Sequence, residues 1–375
     1  MTKPRTARIQ DLLGLLHGAF PTALAEDWDN VGLQVGDPTA VVERVLICLD
    51  PSEAALLAAG AADAQALLCH HPLLFRPLRS LTPKDETGRL VWRAVRDGIA
   101  VISAHTNLDR GRDGLNDWLA SRLGLEQPLP LGAGESDLLK LVVFVPTGYE
   151  EQVAQALFVA GAGQVGAYDH CAFGTKGTGS FRPGPGSDPF IGSTGHVERV
   201  AEIRLETILT KGLQSRVVER MLKAHPYEEV AYDLIPLANQ RRDVGLGRIG
   251  RLAAATELGQ FAATVRDALG ASHVRLVGEP GRMVSKVAVC GGSGASMLAE
   301  AIRQGADVLV TGDVKYHEAK QAQAQGIGLI DAGHFHSEQL MVAGLAARLR
   351  QAASERGLAI EFREMTGEQD PFNVI

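Results

Sequence analysis

The chain has 375 residues, with 37 Lys and Arg against 44 Asp and Glu for a formal charge of −7, and it is 45% hydrophobic. That length exceeds what one hydrophobic core usually fills, and the acidic balance argues against a broad nucleic-acid-binding face, which needs surplus Lys and Arg. No apolar run approaches the ~20 residues that cross a bilayer, and Cys48, Cys69, Cys171 and Cys290 form no CxxC pair, so a disulfide scaffold, a membrane-spanning protein and a zinc ribbon are excluded.

The segment Met1 to Phe20 starts basic, but Asp11 and His17 interrupt it and no small-residue cleavage site follows. An amphipathic helix is expected there rather than a signal peptide. Arg44 to Leu49 reads as a buried strand, Ser52 opens an alanine-rich helix reaching Ala62, and Ala66 to Cys69 is the next strand. Leu90 to Arg96 reads as helix, Ile99 to Ser103 as strand and Asp113 to Leu123 as helix. Strands separated by single helices imply parallel βαβ units. The middle of the chain differs. A strand (Lys140 to Val145) and a helix (Glu150 to Ala160) lead into a Gly- and Pro-rich stretch from Gly161 to Gly195. A strand (Val200 to Thr207), a helix (Leu213 to Ala224) and a strand (Val230 to Leu234) follow. The last third returns to α/β alternation: strands at Lys286 to Cys290, Ala306 to Val310 and Gly328 to Asp331 alternate with helices that reach Gln304, span Val314 to Gln325, and run from Ser337 to near Arg350. Leu358 to Phe362 closes as an edge strand. Three cysteines (Cys48, Cys69, Cys290) fall in these strands, which predicts buried thiols in a reducing cytoplasm. The fold class expected is therefore α/β, with residues 1–132 and 245–375 as two halves of one domain and residues 137–240 as an inserted α+β domain.

Candidate ligands fall at strand ends. His70 and His71 follow the strand ending at Cys69, Asp109 follows the strand ending near Ser103, and His334 follows Asp331 with Glu338 four residues later. Open parallel sheets bind ligands beyond the carboxyl ends of their strands. Residues four apart share a helix face, so His334 and Glu338 can address one ion. Histidine and carboxylate without thiolate suit two divalent ions per chain, drawn from Zn, Mn, Fe, Co or Ni, with Glu338 or Asp109 bridging. His105, His317 and His336 fall in the same loops, and His105 or His336 could transfer protons.

Other motifs carry two readings each. The turn Gly291-Gly292-Ser293-Gly294 could present N–H groups of Gly292 and Gly294 to phosphate or simply cap a helix. Lys315, after Thr311-Gly312-Asp313, could hold a polar substrate or belong to a turn. Trp28, Asp29 and Asn30 form a polar loop that could reach the same edge. His225-Pro226-Tyr227-Glu228-Glu229 reads as a satisfied turn before a strand or as a ligand or inter-subunit contact.

Six segments in order resemble the GTP cyclohydrolase I type 2 homologues, the NGG-interacting-factor-three-like proteins: Trp28 to Gly36, Cys69 to Phe75, Ala104 to Asp109, Thr311 to Asp313, Gly333 to Glu338 and Asp370 to Phe372. The middle block resembles the PII/CutA-like insert of the longer members, through Phe144 to Pro146, Gly161 to Gly163, Gly166 to Tyr168 and His225 to Tyr232. The resemblance implies a two-half α/β fold, a ring-shaped homohexamer and a dinuclear metal site whose ligands map onto His70, His71, Asp109, His334 and Glu338. It departs at Phe335, which stands where a common form of the motif has a second histidine. The activity implied is conversion of GTP to dihydroneopterin triphosphate and formate by metal-activated water, in a cytoplasmic enzyme with no membrane partner. In that reading Lys315, Gly292 and Gly294 meet the triphosphate. Two rivals remain: a metal-binding regulatory or scaffold protein without turnover, and a dimetal nucleotide phosphohydrolase.

Overall fold

The strand Ala66–Cys69 is buried along its whole length and runs through a five-stranded sheet. In this computed structural model, which describes residues 5–132, 137–239, 241 and 243–374, that sheet runs Glu361–Glu364, Arg44–Cys48, Ala66–Cys69, Ala100–Ser103 and Gly32–Val35. All pairings are parallel except the last, which is antiparallel. Continuous runs such as Val45-Leu46-Ile47 and Ala66-Leu67-Leu68 suit strands covered on both faces. Ser52 starts the first crossover helix, Glu53–Ala61, its hydroxyl accepting from the Ala55 N–H at 3.1 Å, which satisfies one orphan donor of the first turn.

A six-stranded sheet follows the same logic, in the order Arg275–Val277, Gly328–Asp331, Val308–Thr311, Met283–Val289, Gly247–Glu257 and Glu126–Leu131. Its centre is parallel and its flanks antiparallel. The halves exchange strands. Glu126–Leu131, from the first half, edges the second sheet, and Glu361–Glu364, from the last residues, edges the first. The helix Leu340–Glu355 likewise buries Met341, Leu345 and Leu349 in one core with Leu12, Leu16, Ile47 and Leu68. The chain thus divides into two compact units, Met1–Gly134 with Arg242–Ile375 as one and Glu135–Arg241 as the other.

The second unit is a four-stranded antiparallel sheet, ordered Tyr232–Pro236, Leu138–Pro146, Glu198–Thr210 and Ala172–Phe181. The helices Glu150–Val159 and Gln214–Ala224 bury Val153, Leu157, Val217 and Met221 against Leu141, Val143, Leu205 and Leu209. The Gly- and Pro-rich stretch proves to hold a ten-residue strand, Ala172–Phe181, paired from Ala172–Thr207 to Phe181–Glu198. His225 spends both ring nitrogens locally: Nε2 pairs with the Phe144 carbonyl at 3.0 Å and Nδ1 accepts from the Tyr227 N–H at 3.1 Å. That is the turn reading of the His225–Glu229 cluster.

Two boundaries differ from expectation in ways that matter below. The N-terminal helix is Ile9–Ala19, preceded by the strand Arg5–Arg8. The helical segment expected to open at Ser337 opens at His334, so His334–Glu338 is a complete helical turn of its own. Among the described residues, no helix is long and apolar enough to cross a membrane.

Candidate metal centre

Three parallel strands end level with one another, since Cys48 pairs with Cys69 and Cys69 with Ser103. The residues that follow therefore emerge side by side. The backbone fixes His70 there: its N–H reaches the Cys48 carbonyl at 3.2 Å, the Ala104 N–H donates to the Cys69 carbonyl at 2.9 Å, and Ser103 Oγ donates to the His70 carbonyl at 2.9 Å. In the second sheet Thr311 is level with Asp331, and the Ala332 N–H donates to the Thr311 carbonyl at 2.7 Å, which brings Asp313 and His334 to the same kind of edge. The two edges meet: His71 Nε2 lies 3.3 Å from His334 Nε2.

All five expected ligands converge. His70 Nε2 is 3.5 Å from Asp109 Oδ1 and 3.7 Å from Glu338 Oε1. On the other side Glu338 Oε2 is 3.1 Å from His71 Nε2 and 3.0 Å from His334 Nε2. His334 and Glu338 share the helical turn that begins at His334, which is how residues four apart come to face one point. Ligand atoms of His71, His334 and Glu338 all lie within 4.8 Å of one another, as do those of His70, His71 and His105.

Each imidazole is held by its other nitrogen. His70 Nδ1 pairs with the Ala104 carbonyl at 2.8 Å, His71 Nδ1 with Asp50 at 2.7 Å and His334 Nδ1 with Asp313 at 2.7 Å. His105 Nδ1 pairs with Asp29 at 2.8 Å, and Asp29 also accepts from the Thr106 N–H and hydroxyl at 3.1 and 2.5 Å. Carboxylate or carbonyl partners on Nδ1 fix the tautomer that leaves Nε2 as an acceptor for a cation. Asp313 adopts φ 55° to make its contact, a left-handed conformation that aspartate tolerates better than most residues.

Ionisation follows from the packing. Burial and the Glu338 charge push Asp109 well above the ordinary carboxylate range. Glu338 resists its own burial because His70, His334 and His71 surround it, and its carboxyl is held well below that range. Burial also lowers His70. It opposes the charged form of His71 too, but the Asp50 and Glu338 carboxylates beside it prevail and lift that group to about 10. His334, beside the Glu338 carboxylate, is raised to about 9.

Three buried polar atoms here have no hydrogen-bond partner: His70 Nε2, Asp109 Oδ1 and Glu338 Oε2. Such orphans cost about 1–3 kcal/mol each when nothing meets them. A cation satisfies an imidazole lone pair and two carboxylate oxygens together, so the donor set fits the divalent metals expected from the sequence.

The remaining predicted residues scatter. Gly292 is present because Glu338 needs the space: a Cβ on it would lie 2.0 Å from Glu338 Oε1, and its φ is +60°. Its N–H donates to Ser337 Oγ at 3.0 Å, and that of Gly294 to Thr311 Oγ1 at 2.8 Å. Both donors are therefore spent within the protein. Lys315 lines a neighbouring 290 Å³ cavity beside Tyr316 and Ala319, with Arg275 and Asp331 on its wall. His336 lies near the centre, its Nε2 3.5 Å from Asp370 and its Nδ1 buried without a partner. An 800 Å³ cavity adjoins the cluster, lined by Asp50, His71, Asp313, His334, His336 and Phe372 among others, with Arg275 and His273 as further basic groups. The sequence does not mark Asp50, Asp313 and Asp29 as histidine partners. Asp29 and Asp313 stand in polar loops beside the candidate ligands, but no fixed spacing links any of the three to its imidazole.

Known proteins match this chain along its whole length. A GTP cyclohydrolase 1 type 2 homolog from Halalkalibacterium halodurans is 40% identical over 372 residues, covering 99% of this chain and 100% of the relative. One from Bacillus subtilis is 40% identical over 367 residues, covering 98% of each. The crystal structure of a Bacillus cereus protein related to NIF3 superposes with a TM-score of 0.85 at 38% identity, covering 99% of this chain and 100% of that one. The Duf34/NIF3 (NGG1p interacting factor 3) family model matches residues 7–371, and the chain belongs to that family.

Proposed function

We propose that this chain is a hydrolase with a dinuclear divalent-metal centre acting on a small nucleotide-like substrate, GTP being the first to test. One observation carries the reading: three buried ligand atoms without partners point into one cluster whose imidazoles are already oriented from behind. His70 and Asp109 would hold one ion and His71 and His334 the other. Glu338 would contribute to both, since its Oε1 lies toward His70 and its Oε2 toward His71 and His334. Bound there, Zn, Mn, Fe, Co or Ni would supply Lewis acidity and lower the pKa of a water.

The chain's own groups do the rest. Asp50, Asp313 and the Ala104 carbonyl keep the three imidazoles in the ligating tautomer. His105, locked by Asp29, presents a ring nitrogen to those of His70 and His71 and is placed to move a proton. His336 is the second candidate for proton transfer, with Asp370 beside it. The adjoining cavity is large enough for a small-molecule ligand. Its one guanidinium, Arg275, is paired with Asp331, and Asp50, Asp313 and Asp370 also line it, so no group for an anionic tail is assigned there and Lys315 stays a candidate. Homologue names support GTP as substrate, and the resemblance extends the proposal to a toroidal homohexamer in the cytoplasm, checked by light scattering.

The test is GTP turnover by chelator-stripped protein reloaded in turn with Zn, Mn, Fe and Co, scoring formate and phosphate alongside a metal count. Metal-dependent formate release that disappears in Glu338→Gln is expected. Phosphate release instead identifies a phosphohydrolase. Two bound metals per chain with neither product leaves the site standing and overturns GTP as its substrate.

A further inference from the structure

The inserted unit contains a cavity of its own, 510 Å³, between the end of the glycine-rich strand, the loop after it and the His225–Glu229 turn. Its walls are aromatic. The Tyr227 ring lies 5.9 Å from that of Phe181 and 6.3 Å from that of Phe190, and Phe190 is set edge-on against Tyr149 at 5.5 Å. Its charged lining is acidic, with Glu202, Glu228 and Glu229 against Arg182 alone.

Glu202 is the group that needs explaining. It is only 8% exposed, yet the neighbouring basic side chains on its sheet are engaged elsewhere, since Lys140 and Arg204 both pair with Glu206 at 2.9 Å. Its Oε1 accepts the Tyr227 hydroxyl at 3.0 Å, a neutral partner. The backbone makes room for this carboxylate: a Cβ on Gly179 would lie 2.1 Å from Glu202 Oε2. A buried carboxylate without a counter-charge is costly, and aromatic faces attract cations electrostatically. An anion would meet three carboxylates and one guanidinium. A metal ion would find no cluster of three ligand atoms there, because among the described residues such clusters occur only in the other unit.

We propose that this cavity binds an organic ammonium cation, with Glu202 as the counter-charge and Phe181, Phe190 and Tyr227 as the walls. The site is independent of the metal centre and of any reaction there. Its volume falls in the range of small-molecule pockets.

Titration calorimetry of the full chain with choline and with spermidine tests this, with dimethylbutanol, the neutral carbon isostere of choline, as control. At least one cation is expected to bind once per chain. Glu202→Gln and Phe190→Leu should each weaken it about tenfold, as the loss of a desolvated cation–π or ionic contact does. Metal content should stay at the wild-type value in both, and the melting temperature in Phe190→Leu. Phe190 is 49% exposed, so its variant remains informative if Glu202→Gln fails to fold. The proposal is overturned if neither cation binds at millimolar concentration, if dimethylbutanol binds as tightly as choline, or if both variants bind the cation like the wild type.

Discussion

His70 and His225 are both buried histidines at the ends of elements, and they differ in one respect. His225 has both ring nitrogens occupied, by the Phe144 carbonyl and the Tyr227 N–H. His70 has one occupied, by the Ala104 carbonyl, while the other lies buried beside two carboxylates without a hydrogen-bond partner. The first is a fastener whose polar demand closes on itself. The second is half of an unfinished interaction; His71 and His334 share its anchored Nδ1, on Asp50 and Asp313, with their Nε2 atoms 3.3 Å apart. On the proposed metal reading, this difference in hydrogen-bond balance marks His70 as a ligand and His225 as a structural residue.

The contrast breaks most sharply at Glu338, the one group common to both sides of the cluster. Glu338→Gln should lower metal affinity more than about a hundredfold, beyond the usual effect of losing a ligand's supporting partner. Equilibrium dialysis followed by elemental analysis measures it, and retention of a full metal complement would refute the shared-ligand assignment. Next in size come Asp50→Asn and Asp313→Asn. Each should weaken binding about ten- to a hundredfold, because the imidazole behind the ion loses its anchor. Unchanged affinity in both would mean that these carboxylates are bystanders.

His225→Ala probes the other member of the comparison. It should leave metal content untouched and cost about 1–2 kcal/mol, because a buried carbonyl and N–H lose their partner; denaturant unfolding monitored beside a metal count separates the two. The smallest effect is expected at Asp29. Burial pushes that carboxyl up, but hydrogen bonds from His105 and Thr106 prevail and hold it at about 2 against an ordinary 3.8. A depressed native value means the stabilisation is complete above pH ~3.8 and is lost as pH falls toward 2. Asp29→Asn should therefore cost about 1 kcal/mol at pH 7, allowing for solvent screening, and progressively less in acid. An equal gap between variant and wild type at pH 7 and pH 2.5 would count against it.

What the sequence revealed and what it hid follow from the range of the interactions. His70, His71, Asp109, His334 and Glu338 are legible because they lie in the segments just beyond three buried strands, and strand ends obey a topological rule. Asp50 and Asp313 are not, since each is 21 residues from its histidine and only register joins them. Gly292 looked like a phosphate-binding glycine because sequence cannot distinguish a glycine that admits a ligand from one that admits the protein's own carboxylate. The central strands showed as apolar runs. Glu126–Leu131, with two prolines, and Gly247–Glu257, with its alanines and glycines, did not, because both owe their pairing to partners remote in the chain.

The exchange of edge strands bears on how such a chain could have been assembled. Leu131 and Gly247 are directly paired neighbours in the six-stranded sheet, so the metal-site unit is interrupted at what is geometrically a hairpin tip. A hundred-residue guest entering there adds little closure entropy to its host, because the two points of attachment are already fastened together. The halves on either side have no such independence, since each completes the other's sheet and neither carries a whole ligand set. The molecule thus joins an obligate pair to a detachable passenger, and replacing residues 137–241 with a tight turn should leave the pair, and its histidine–carboxylate cluster, in place.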